Sequence, residues 1–163
     1  MATIRAHGIA SQLPGGFEAK IFVRTVPAGM ASYAVAQFGT FPLPDDVGDF
    51  GSGAVNVMGA ADVYATLFEY GPESLGTALF ARQGRPDPLS PGDFSPAMLR
   101  RGIPGQSGTQ WFFTEAGRPF SFYAVLGSHL QRTLLVPRVN ELLASLSLSP
   151  PAPRTPSDRV AWN

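Results

Sequence analysis

The chain has 163 residues and a mass of 17.3 kDa, enough for one domain that buries a sizeable core without metals or disulfides. It is rich in Gly (18) and Pro (16), and its hydrophobic content is 44%, but only 15% of residues are charged, where about 25% is usual; this excludes a coiled coil, a long-helix bundle and a charged disordered chain. Twelve basic residues balance 12 acidic ones with no basic run beyond Arg100-Arg101, which argues against nucleic acid and anionic membranes as partners.

The chain opens with a weakly alternating strand over Ile4–Ser11, closed by the turn signal Pro14-Gly15-Gly16. A second strand, Phe17–Val26, alternates Phe17, Ala19, Ile21 and Val23 with Glu18, Lys20, Phe22 and Arg24. The short link between the two makes them antiparallel neighbours. Ser32–Phe41 reads as a third strand, and residues 42–60 as a long loop, a length associated with functional segments. Asp62–Tyr70 is apolar on both faces, which predicts an interior strand covered on both sides.

Residues 71–108 are the least regular part. Leu75–Ala81 reads as a short strand and Asp87–Gly92 as a Pro-rich loop. Ser95-Pro96 reads as the N-cap and first residue of a short helix. Thr109–Thr114 and Phe120–Leu126 form the strongest hairpin signal, with aromatics on both faces. A turn at Glu115-Ala116-Gly117 with Gly117 left-handed sets Phe112 opposite Phe120 and Trp111 opposite Ser121. A two-residue turn instead pairs Phe113 with Phe120 and Trp111 with Phe122; turn chemistry favours the first register. Ser128 to Gln131 reads as a capping box, opening a helix to about Leu146. Leu135, Val139, Leu142, Leu143 and Leu146 share one face of it, and Pro137 implies a kink or a late start. The whole is an α+β domain over residues 1–148, an antiparallel sheet of about five to seven strands packed by a C-terminal amphipathic helix, with a short additional helix. Residues 149–163 read as a Pro-rich disordered tail.

The chemical signals are sparse. With no cysteine, disulfides and thiolate chemistry are excluded. His7 and His129 are the only histidines, and neither has a nucleophile elbow or a zinc spacing beside it, so no metal and no cofactor are expected. Asp45, Asp46 and Asp49 crowd one loop, but their spacing is not that of a calcium loop and reads as turn-forming Asp. Gly48–Gly53 lacks the Gly-Lys-Ser/Thr ending of a phosphate loop. Glu115 and Arg118 read as an ion pair flanking the hairpin turn. The N-terminus lacks the apolar run of a signal peptide and no stretch is long enough to span a membrane, so the expectation is a soluble cytoplasmic protein.

Leu13–Glu18, Gly48–Val55, Phe113–Phe120 and Val125–Ser128 resemble a group of short actinobacterial proteins of unknown function, which implies no activity. The Leu13–Glu18 opening with a closing amphipathic helix resembles, in layout, PsbP-like domains. Gly108–Thr114 is similar to a cyclophilin segment, but no His-Arg dipeptide, which carries the cyclophilin catalytic arginine, occurs. The leading expectation is a non-enzymatic domain that binds a protein partner or self-associates, because strands apolar on both faces outnumber the helices that would cover them. Its candidate surface is Asp46, Asp49, Phe50, Glu69, Trp111 and Arg118. The competing expectation is a small-ligand-binding protein or enzyme with an apolar pocket edged by carboxylates.

Overall fold

Residues 2–23, 33–45 and 52–151 are described in this computed structural model. Among them, eight strands and two α-helices alternate with short 3₁₀ turns. The strands are β1 (Thr3–Ala6), β2 (Ile9–Gln12), β3 (Glu18–Val23), β4 (Ala34–Gly39), β5 (Val63–Glu69), β6 (Ser107–Glu115), β7 (Arg118–Leu126) and β8 (Leu146–Leu148). The helices are α1 (Ser52–Val55) and α2 (Arg132–Ser145). The α+β class stands, with the strands divided between two antiparallel sheets. The larger runs β3-β4-β5-β7-β6 and the smaller β1-β2-β8.

The division begins at the N-terminus. His7 and Gly8 both adopt left-handed backbone, φ 52° and 74°, so the expected single strand over 4–11 is a hairpin with a two-residue turn. β2 then pairs with β1 and β8 rather than with β3, and the turn at Pro14–Gly16 carries the chain from one sheet to the other. Ser149 extends this sheet, its N–H donating to Gly8 O at 2.9 Å.

Strands β5 and β7 lie at the centre of the large sheet, where both faces must be apolar. On one face Val63, Ala65, Leu67, Phe120, Phe122 and Leu126 pack against Leu135, Val136, Val139, Leu142 and Leu143 of α2. Ile9, Leu13, Phe17 and Leu146 complete that layer. On the other face Tyr64, Tyr123 and Val125 lie under Phe41, Ala54 and Val55. Each fully buried aliphatic or aromatic side chain contributes roughly 1.5–3 kcal/mol relative to exposure, so both layers hold the sheet. The apolar excess read from the sequence is therefore buried within the chain itself.

The hairpin takes the other of the two registers. Ala116 (φ 55°) and Gly117 (φ 72°) form a two-residue turn, and Phe113 faces Phe120 while Trp111 faces Phe122. A one-residue slip would turn every β6 side chain to the opposite face. The observed register puts the stacked rings of Phe113 and Phe120, 5.8 Å apart, in the core, and this outweighs the strain at Ala116.

The irregular region differs in one place. Leu75–Ala81 is not a strand: it begins just after the 3₁₀ turn Pro72–Ser74 and contains the 3₁₀ turn Ala78–Phe80, with left-handed Gly76 (φ 79°) between the two breaking extended pairing. The short helix at Pro96–Met98 is present as a 3₁₀ turn, with Ser95 Oγ accepting from Ala97 N–H at 3.1 Å. Helix α2 starts at Arg132 with Gln131 as N-cap, not in a Ser128 capping box. Ser128 instead accepts Gln131 N–H through its backbone carbonyl, at 3.3 Å. Pro137 lies inside the helix rather than at its start.

Candidate functional site

Glu115 and Arg118 face each other across the hairpin turn, as the register requires. They do not pair with each other. Arg118 forks onto Glu69 at the end of β5, Nε donating to Oε2 at 2.7 Å and Nη2 to Oε1 at 2.9 Å. Its remaining donors reach backbone carbonyls of the small sheet: Nη2 to His7 O at 3.0 Å, Nη1 to Gly8 O at 3.2 Å and to Ser149 O at 3.1 Å. A guanidinium has five N–H donors, so Arg118 is fully satisfied; its side chain is only 5% exposed.

Glu115 makes the matching fork with Arg85. Arg85 Nε donates to Glu115 Oε1 at 3.1 Å, its Nη2 to Oε2, and its backbone N–H to Oε1 at 3.0 Å. Arg85 Nη1 then reaches Leu143 O and Leu146 O at the end of α2, where orphan carbonyls and the negative helix end both favour a cation. Burial pushes the Glu115 carboxyl up, but the hydrogen bonds and charge of Arg85 outweigh it and hold the group below its ordinary value.

Beside the first fork lies a cleft of about 700 Å³, within the range of ligand sites. Arg118, Glu69 and Gly8 line it, together with Tyr33, Tyr70, Pro72, Pro119, His7, Pro150 and Pro151. Tyr70 is held in place by its N–H to Pro119 O (2.9 Å), by its hydroxyl against Ser121 Oγ (3.2 Å), and by the rings of Phe68, Phe80 and Phe112 at 4.9–6.1 Å. A second, more open groove of about 750 Å³ runs between α2 and the small sheet. Thr3, Ser11, Ser145 and Ser147 bring hydroxyl groups to it beside Arg5, Gln12 and Glu141, and the hydroxyls of Ser11 and Ser145 bond each other at 2.7 Å.

Of the six residues singled out in the sequence, Glu69 and Arg118 converge at the cleft. Trp111 does not: it sits four residues along β6 from the turn, about 13 Å at the rise of a strand. There its indole N–H donates to Thr109 Oγ1 at 2.9 Å and the Arg82 guanidinium lies over the ring at 5.2 Å. Asp46, Asp49 and Phe50 lie outside the described residues. Among the described residues no three His, Asp or Glu side chains form a metal set.

No family model, curated protein or solved structure matches the chain. The site therefore has to be read from its own chemistry. Tyr33, Tyr70, His7, Gly8, Pro150 and Pro151 were missed as site residues. His7-Gly8 carried a legible turn signal, since glycine favours left-handed backbone. Pro150 and Pro151 were assigned to the tail, yet they line the cleft, while residues 152–163 of that expected tail lie outside the described residues.

Proposed function

We propose that this is a non-enzymatic recognition domain whose cleft beside Arg118 takes an uncharged, apolar segment of a protein partner, proline-bearing segments above all. One observation carries the reading: among the described residues, the ion pair in the cleft wall is used to hold the two sheets together, and the rest of the lining is mainly aromatic and proline surface. Tyr33 and Tyr70 bring aromatic surface to the cleft, and a pre-extended proline-rich chain loses little entropy on binding to such surface. Acid–base use of Glu69 is disfavoured on the same ground, because both of its oxygens accept from Arg118. A protein partner, rather than nucleic acid or an anionic membrane, rests on the balanced charge of the sequence. Among the described residues no helix is long and apolar enough to cross a membrane.

The test is titration of the full chain with a proline-rich peptide containing leucine and tyrosine, followed by amide NMR. The reading expects shifts at Gly8, Tyr33, Tyr70 and Gly117, lost in Tyr33→Ala. Shifts confined to the hydroxyl-lined groove, or none at millimolar peptide, overturn it.

A further inference from the structure

Strand β6 is the last strand of the large sheet, and its outer edge is closed only at its ends. The two-residue turn makes Glu115 and Arg118 a hydrogen-bonded pair, so Phe113, Trp111 and Thr109 also turn their N–H and C=O toward β7. Gly108, Gln110, Phe112 and Thr114 turn theirs away from it. At one end Gly108 exchanges both bonds with Ser95, at 2.9 and 3.0 Å. At the other, Thr114 accepts from Gly84 N–H and donates to Arg82 O, both at 2.8 Å. Among the described residues no such partner meets the N–H and C=O of Gln110 and Phe112. Burial follows the same outline: Ser107–Thr109 and Phe113 are buried, while Gln110, Trp111 and Phe112 between them are only half-buried.

We propose that this gap takes a short, extended, acidic segment of a protein partner as a sixth strand of the large sheet, paired with residues 110–112 and reaching Arg82 with a carboxylate. The site is separate from the cleft beside Arg118 and does not depend on how that cleft is used.

The edge itself selects the occupant. Two donors and two acceptors in fixed alternation match extended main chain, and the side chains beside them add specificity. Gly108 and Thr114 are about 20 Å apart at the rise of a strand, so three paired residues fit between the two bridges. A second copy of β6 does not fit, because its nine residues would run on into Ser95 and Arg82–Gly84. The central residue of the segment lies beside Trp111, where an aromatic–β-branched pair is favourable. The Arg82 guanidinium lies over that ring at 5.2 Å, is exposed and, among the described residues, holds no ion pair. An acidic side chain two residues from the centre lies on the same face and meets it. On the opposite face Gln110 Nε2 is buried with no partner among the described residues, and a hydroxyl opposite it would accept that donor.

The test uses the full chain, hydrogen exchange and one peptide, acetyl-Glu-Thr-Val-Thr-Glu-amide, whose sequence is the same in either direction of pairing. Without peptide, the Gln110 and Phe112 amides should exchange many-fold faster than those of Trp111 and Phe113, which bond to β7. Equal protection means the edge is already closed and overturns the proposal. Protection of these two amides that fades on dilution also overturns it, since it assigns the edge to a second copy. With peptide at millimolar concentration, exchange at Gln110 and Phe112 should slow several-fold while Trp111 and Phe113 stay unchanged. The same peptide N-methylated at both Thr residues lacks the donors and should have no effect; equal slowing by it overturns main-chain pairing. Arg82→Ala leaves the backbone bridge at Thr114 in place and should weaken peptide binding several-fold. Unchanged affinity in that variant overturns the acidic partner, and no slowing by the parent peptide overturns the site.

Discussion

The two arginine forks flanking the β6–β7 turn are chemically alike and structurally unequal. Arg118 and Glu69 are 5% and 12% exposed, and Arg118 ties together segments at residues 7–8, 69 and 149. Arg85 and Glu115 are 16% and 22% exposed and tie β6 to the end of α2. The same pair of side chains thus serves as a buried joint between two sheets in one place and as a half-buried helix cap in the other. The contrast teaches that the weight of an ion pair follows from how many backbone groups depend on it and how little water can replace it.

The largest expected effect follows from the deeper fork. Arg118→Ala strips Glu69 of its cation and the carbonyls of His7, Gly8 and Ser149 of their guanidinium bonds, Gly8 O keeping the Ser149 N–H, and removing one member of a buried pair costs about 3–5 kcal/mol. Urea unfolding should show that loss, and hydrogen exchange should accelerate at the Ser149 amide. Arg118→Lys should recover little, because one ammonium cannot fork onto Glu69 and also reach the carbonyls of His7, Gly8 and Ser149. A variant as stable as the parent would remove the joint from the account of the fold.

Next comes the turn that the joint grips. A Cβ on Gly8 would stand 2.6 Å from Arg118 Nη1, and Gly8 is left-handed at φ 74°. Backbone strain and a displaced guanidinium together predict a loss of about 2–3 kcal/mol for Gly8→Ala. In the Arg118→Ala background the same change should cost only the backbone share, which a double-mutant cycle reads directly.

The shallower fork should be weaker and should respond to acid. Arg85→Ala removes the Glu115 pair and two bonds to the α2 terminus, for about 1–2 kcal/mol. The carboxyl of Glu115 titrates below its ordinary value of 4.5 in the folded chain. Its contribution is therefore complete above that value and is lost as the pH falls through the lower folded one. Melting temperature measured between neutral and acid pH should drop in that window, and Glu115→Gln should flatten the drop while lowering stability at neutral pH.

Legibility in the sequence followed the range of the interaction. The central strands β5 and β7 declared themselves because both alternating sets of side chains are apolar. So did the core face of α2, where Leu135, Val139, Leu142 and Leu143 are all buried. The small sheet did not, since β8 has three residues and pairs with β2 across most of the chain. Glu115 and Arg118 invited the nearest pairing, but Arg118 is held by backbone carbonyls, which no side-chain pattern encodes. The cleft was equally hidden: Tyr33, Tyr70 and Pro150 come together only once the two sheets are joined.

The smallest effect concerns the turn between the forks, and it tests why the register is what it is. Ala116 occupies φ 55°, where a residue with a Cβ is strained by about 1–2 kcal/mol. Glycine relieves that strain but loses more backbone freedom on folding, roughly 0.5–1 kcal/mol. Ala116→Gly should therefore raise stability by about 0.5–1 kcal/mol, visible as a higher denaturant midpoint at unchanged slope. If the core set by Phe113 and Phe120 fixes the register, cross-strand amide contacts between Phe113 and Phe120 should persist in the variant. If the strained alanine itself selects the turn, relief at Ala116 should let Phe112 pair with Phe120, turning Trp111 off its present face and out from under Arg82. The stacked rings and the fully buried β7 favour the first outcome, because the alternative exposes a core face to correct one backbone angle.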